Sequence, residues 1–284
     1  THMRQHLRFV AVPAVLMALV VCVPLQAQQN RRQGLTPEED ALRPRAEAGD
    51  AEAIAELRAL AGGGAEGAQA QLGFMYSTGQ RIPQDDAESV RWERLAAEQG
   101  NPRAQYNLGV SYATGQGVPQ DDAEAVRWVR LAAEQGLAEA QGMLGRAYFT
   151  GQPVPQDYAE AARWYRLAAE QGDAPAQSAL GWQYNTGVGV PENAGEAARW
   201  YRLAAERGHA EAQYNLGTMY DIGRGVPQDF VQAHLWFNLA ASGATGEDRV
   251  SAVQGRDLAA SQLTPADLSE AQRLAREWDA AHLQ

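Results

Sequence analysis

Residues 104–136 read AQYNLGVSYATGQGVPQDDAEAVRWVRLAAEQG, and near copies of this stretch stand one 36-residue step before it and at three such steps after it. A tryptophan marks the register at Trp92, Trp128, Trp164, Trp200 and Trp236, with no insertion or deletion between the first and the last. The same spacing holds for Leu72, Leu108, Leu144, Leu180 and Leu216, and for Tyr76, Tyr112, Tyr148, Tyr184 and Tyr220. Gly73, Gly109, Gly145, Gly181 and Gly217 keep it too. A fixed period in the thirties, in units too small to bury their own apolar faces, predicts a solenoid whose neighbouring repeats share a continuous core. Function is then expected on a surface, because catalysis needs one unique constellation rather than five equivalent ones.

Within the quoted unit, Ala104, Leu108 and Tyr112 fall four apart and share one helical face. Gly115 stands where a helix ends in a left-handed turn, and Pro119 prevents its continuation. Asp121 with Glu124 predicts an acidic capping box at the start of a second helix, whose Trp128, Leu131, Ala132 and Ala133 form a buried stripe. The cap recurs as Asp85 with Glu88, Asp157 with Glu160, Asn193 with Glu196 and Asp229 with Gln232. Composition agrees with an all-α chain, being rich in Ala, Leu, Glu, Gln and Arg.

The 284 residues carry a net charge of −11, and every one of the 24 basic residues is an arginine. Such an acidic body is repelled by phosphate backbones, so no nucleic-acid partner is expected. Arg4 and Arg8 ahead of an apolar run from Phe9 to Leu25 read as a signal peptide over residues 1–27, which predicts a periplasmic or secreted protein with no stable membrane insertion of the mature chain. Cys22 lies inside that run, so the mature chain is expected to hold neither disulfides nor cysteine metal sites. Residues 28–45 read as a flexible linker, 46–64 as an amino-terminal capping helix, 65–244 as the five repeats and 245–284 as carboxy-terminal capping helices.

The segments AQYNLGVSY, TGQGVPQD and AEAVRWVRLAAEQG resemble the Sel-1-like repeat family, which is related to the tetratricopeptide repeat. Two departures stand out: Arg81 and Pro153 replace the second loop glycine of the first and third copies. The resemblance implies a right-handed α-solenoid whose first helices line a concave surface. It also implies a non-enzymatic adaptor that holds other proteins, in exported members at the bacterial envelope.

No catalytic, cofactor or metal site is expected. The pairs Asp85–Asp86 and Asp121–Asp122 sit at helix starts and suit capping, and the five histidines have no ligand spacing. The recurring Trp and Tyr belong to packing faces. A partner surface should use positions that vary between copies, and a helical wheel at about 100° per residue puts one such stripe opposite the core side of each first helix. It carries Phe74, Tyr106, Val110, Arg146, Phe149, Trp182, Asn185, Tyr214 and Asp221, rich in the aromatics and arginine that dominate interfaces. The stripe is expected to be exposed and to hold a protein or peptide, an envelope protein by the family's habit. Two alternatives stay open: its aromatics pack against neighbouring repeats, or they stack on glycan or peptidoglycan.

Overall fold

The computed structural model describes residues 36–282, and among these every regular element is an α-helix. The chain enters through α1 (Pro37–Ala48) and α2 (Ala51–Gly62). This corrects the described part of the expected linker, 36–45, and the single capping helix over 46–64, while 28–35 lie outside the described residues. Thr36 and Glu39 form a reciprocal capping box, with the Thr36 N–H donating to Glu39 Oε2 at 2.6 Å and the Glu39 N–H to Thr36 Oγ1 at 3.3 Å. Pro37 fits the first turn, and Leu42 and Ala46 are buried, so the helix runs through Pro44 despite the lost donor. Gly49, left-handed at φ 92°, closes α1, and Asp50 caps α2. The expected signal peptide lies outside the described residues.

Each repeat then supplies two helices. The first helices are α3 (Glu66–Thr78), α5 (Pro102–Thr114), α7 (Ala138–Thr150), α9 (Ala174–Thr186) and α11 (Ala210–Ile222). The second helices are α4 (Asp86–Glu98), α6 (Asp122–Glu134), α8 (Tyr158–Glu170), α10 (Ala194–Ala205) and α12 (Phe230–Gly243). After them come α13 (Gly246–Ser261) and α14 (Pro265–His282). Neighbouring first helices touch, α3 with α5 and α7 with α9, which places them on the inner side of the arc.

The hairpin turn closes by hydrogen bonds that local sequence specifies. Gly115 takes φ 73° after α5, and the Asp121 carboxylate accepts from the N–H groups of Ala123 and Glu124, both at 3.0 Å. The Asp121 N–H donates to the Tyr112 carbonyl at 3.0 Å, tying the start of α6 to the end of α5. All five copies share this closure. It also corrects the expected capping box, because the N–H that Glu124 would accept from is already engaged. Glu124 instead pairs with Arg127 at 2.9 Å, and that guanidinium lies 4.2 Å from the Trp128 ring centroid.

The invariant residues build the core. Leu72, Leu108, Leu144, Leu180 and Leu216 are wholly buried, and Trp128, Trp164, Trp200 and Trp236 are buried beside them. Two ladders join successive repeats. Arg94, Arg130, Arg166 and Arg202 donate to the hydroxyls of Tyr112, Tyr148, Tyr184 and Tyr220. Gln99, Gln135 and Gln171 donate to the buried Gln69, Gln105 and Gln141, which in turn donate to the carbonyls of Ala61, Ala97 and Ala133. At the carboxy end, Phe237 is pressed between Gly217 of α11 and Gly255 of α13, while Ala275 of α14 completes the last core cluster. Among the described residues no helix is long and apolar enough to cross a membrane.

Candidate functional site

The variable stripe lies on first helices whose opposite sides are fixed by Ala, Leu and Tyr, so its residues share one rigid surface. Its predicted exposure requires correction. Phe74, Arg146 and Trp182 are exposed, whereas Tyr106, Val110, Phe149, Asn185, Tyr214 and Asp221 are half-buried. The inner side of the arc is tight enough that large side chains fold against the neighbouring helix. Tyr214 packs on Phe237, with centroids 5.5 Å apart, and the residues of α13 close over it. Phe74 lies near the amino end and makes no ring contact with another aromatic among the described residues.

The middle of the stripe does come together. Phe149 meets Trp182 edge-to-face at 5.4 Å and Tyr158 at 5.3 Å, with Tyr165 tilted beneath at 6.5 Å. Trp182 keeps 37% of its surface free. Two adjoining concavities share this aromatic floor. One, of about 360 Å³, is bounded by Tyr106, Met143, Arg146, Tyr165 and Asp173. The other, of about 340 Å³, is bounded by Phe149, Trp182, Pro175, His209 and Glu211. Tyr165, Pro175 and Ala179 line both, so they form one groove over α7, α9 and the start of α11.

Burial dominates the electrostatics of this groove. It pushes the Tyr165 hydroxyl up to about 12, with the nearby Arg146 charge opposing, so that phenol stays neutral. Burial also lowers the His209 imidazole, against the opposing pull of Glu211 and Asp173. His209 Nδ1 accepts from the Ala212 N–H at 3.3 Å as the cap of α11. Asp173 likewise caps α9 through the Ala176 N–H at 2.7 Å. The rim therefore offers the exposed charges of Arg146 and Glu211 around an aromatic floor, an arrangement suited to holding a side chain. Among the described residues no group of three or more His, Asp or Glu is placed to hold a metal.

Tyr165 is the residue that sequence reading of the stripe leaves out. It follows the invariant Trp164, on a second helix taken wholly as packing. The signal is present in variation: the residue after each tryptophan is Glu93, Val129, Tyr165, Tyr201 and Phe237 in turn. A position that packs yet changes size so widely shapes the surface above it.

Fold and groove define a helical-repeat binding scaffold. The Sel1 repeat matches at residues 67–101, 102–137, 138–173, 174–209 and 210–244, and the chain belongs to the Sel1 repeat family. Sel1 repeat proteins generally mediate protein–protein interaction, and the scaffold is generally non-enzymatic. The chain is similar to a protective antigen of uropathogenic Escherichia coli strains that displays an SLR fold, at 37% identity and a TM-score of 0.67 over 84% of this chain. It spans about half the length of that relative, 56%. It is also similar to a Sel1 repeat protein from Oxalobacter formigenes, at 34% identity and a TM-score of 0.65, covering 72% of this chain and 83% of that one. An immunity protein from Pseudomonas aeruginosa shares the fold at 21% identity and a TM-score of 0.50, covering 76% of this chain and 85% of that one. No curated protein matches the chain.

Proposed function

We propose that this chain is an exported adaptor that holds an envelope protein in the groove of α7, α9 and α11, with no chemistry or cofactor of its own. The observation that carries the reading is the Phe149–Trp182 pair, an aromatic cluster with free surface on the inner side of a rigid arc. Aromatic anchors in concave, partly desolvated settings supply most of the energy of protein interfaces. Export rests on Arg4, Arg8 and the apolar run to Leu25.

The test is a photo-crosslinking residue at Tyr106 and, separately, at Trp182, in cells, with the captured species identified by mass spectrometry. One dominant protein from both positions is the expected result. Trp182→Ala should abolish that capture while leaving the melting temperature within about 3 °C, since the residue keeps 37% of its surface free and lies outside the buried core. Capture of cell-wall material alone would overturn the reading in favour of a glycan receptor. Cleavage of the leader is read from the amino-terminal sequence of the protein recovered outside the cytoplasm, and a retained leader there would overturn that part.

A further inference from the structure

The same inter-repeat slot occurs at each junction, between a first helix, its second helix and the next first helix, and its filling differs from copy to copy. At the junction of the third and fourth repeats it is occupied by the chain itself. Phe149 lies there against Tyr158 and Tyr165, with Trp182 at the mouth. At the junction of the second and third repeats the equivalent positions are Ala113, Asp122, Val129 and Arg146. Each is smaller than its aromatic counterpart, and the space they leave is a cavity of about 330 Å³ with a floor of Gly109, Ala125, Val126 and Val129.

A second departure falls at the same junction. In the second, fourth and fifth repeats a loop glycine presses onto the start of the preceding second helix. A Cβ on Gly117 would stand 2.0 Å from the Asp86 carbonyl oxygen, one on Gly189 would stand 2.3 Å from that of Tyr158, and one on Gly225 would stand 2.2 Å from that of Ala194. These glycines take φ between 68° and 78°. In the third repeat the residue is Pro153, whose ring fixes φ near −65° and whose bulk forbids that approach. Gln152 and Pro153 form part of the cavity wall together with Asp122. At the mouth, Arg146 makes no ion pair among the described residues, while Asp122 Oδ1 is engaged by Gln120 at 3.2 Å.

From this geometry we infer that the α5–α6–α7 slot is a receptor for one aromatic side chain of the protein partner, with Arg146 binding a carboxylate next to that ring. The chain itself shows the occupant that such a slot fits, because one junction further along it places a phenyl ring there. Burial of an aromatic ring in an apolar slot, beside a charge-assisted hydrogen bond, gives both affinity and direction. Arg146 also borders the groove of Tyr106 and Tyr165, so the slot is continuous with the surface assigned above, and the inference rests on that reading.

The full chain, carrying ¹³C-methyl methionine, is titrated with N-acetyl-L-phenylalanine while the methyl signal of Met143, which lines the slot, is followed. A saturable shift with a dissociation constant on the order of 1 mM is expected. N-acetyl-L-alanine should leave the signal in place, and Arg146→Ala should weaken binding about fivefold for the acid and hardly at all for its amide. Val129→Tyr and Ala113→Phe each install the residue of the next junction, and whichever folds by circular dichroism should bind at least about tenfold more weakly. No saturable shift by about 20 mM, an equal response to the alanine compound, or undiminished binding in a folded plugged variant would overturn the inference. Crosslinking at Trp182 separates this from the adaptor reading. If a plugged variant captures the same protein as strongly as the parent, the slot assignment fails and the adaptor stands; if Trp182 captures nothing, the adaptor fails.

Discussion

Gly145 lies so near Tyr165 that a Cβ on the glycine would stand 2.7 Å from ring carbon Cδ1 and 2.9 Å from Cε1. The pair belongs to two helices of one repeat, and the missing side chain is what lets α7 and α8 close on each other. Gly181 with Tyr201 and Gly217 with Phe237 repeat the relationship. Gly145→Ala should gain up to about 1 kcal/mol in helix propensity and lose about 1–3 kcal/mol to overpacking, leaving the protein less stable. Thermal unfolding by circular dichroism checks the sign, and a rise in melting temperature would refute it.

Glu93 holds the place of Tyr165 in the first repeat, 2% exposed, with Oε2 buried and unpartnered. Burial raises its carboxyl from 4.5 to about 7, against hydrogen bonds from Asn107 and Ser89 that favour the charged form. The folded state therefore binds more protons than the unfolded one across that window, and this group makes stability fall as pH rises from 4.5 to 7. Glu93→Gln should be the more stable protein at pH 8, by up to about 3 kcal/mol, with the difference gone at pH 4. Denaturant melts at the two pH values measure it.

The glutamine ladder stops after the third repeat, where the donor position becomes Arg207 and then Gly243. Arg207 stands where Gln99, Gln135 and Gln171 stand in earlier copies, and Gln177 Oε1 is buried without a partner. Arg207→Gln should restore a bond like that of Gln171 to Gln141, at 2.8 Å, and stabilise the chain by about 1 kcal/mol. A denaturation midpoint that does not move would count against it.

Tyr184→Phe removes the hydroxyl that accepts from Arg166 at 2.7 Å. The expected loss is about 1–2 kcal/mol. In a linear array such a loss is felt by neighbours only. Amide exchange should quicken in α8 and α9 and stay unchanged in α3 and α4, and uniform quickening would show the repeats to be more tightly coupled than their contacts suggest.

The repeat core was legible because it depends on side chains within one 36-residue unit. Leu108, Gly109, Tyr112 and Trp128 advertise their packing through recurrence alone. Helix α1 was hidden by Pro37 and Pro44, since its evidence is a three-residue capping relation, Thr36 with Glu39, and two buried residues rather than a period. The same Glu39 also accepts from the Ala68 N–H at 2.8 Å, capping α3 from 29 residues away. No local pattern announces that. The slot behind Arg146 was invisible for a related reason: Pro153 and Asp122, in successive copies, line it together across a junction. A helical angle sets which side of a first helix a residue lies on, but it does not measure how far Phe149 and Tyr214 lean into their neighbours.

The hairpin closure of Asp121 on Tyr112 lies inside a repeat, whereas Arg130 reaches forward to Tyr148. The second, third and fourth units thus each carry one complete internal bond, one donor to offer the successor and one acceptor for the predecessor. A duplication or deletion of 36 residues among these units leaves the arginine-to-tyrosine bond across each new join intact. The array is able to grow and shrink by whole words, and since Val129 and Pro153 travel with their own units, reordering the copies would decide where along the arc a slot is left open.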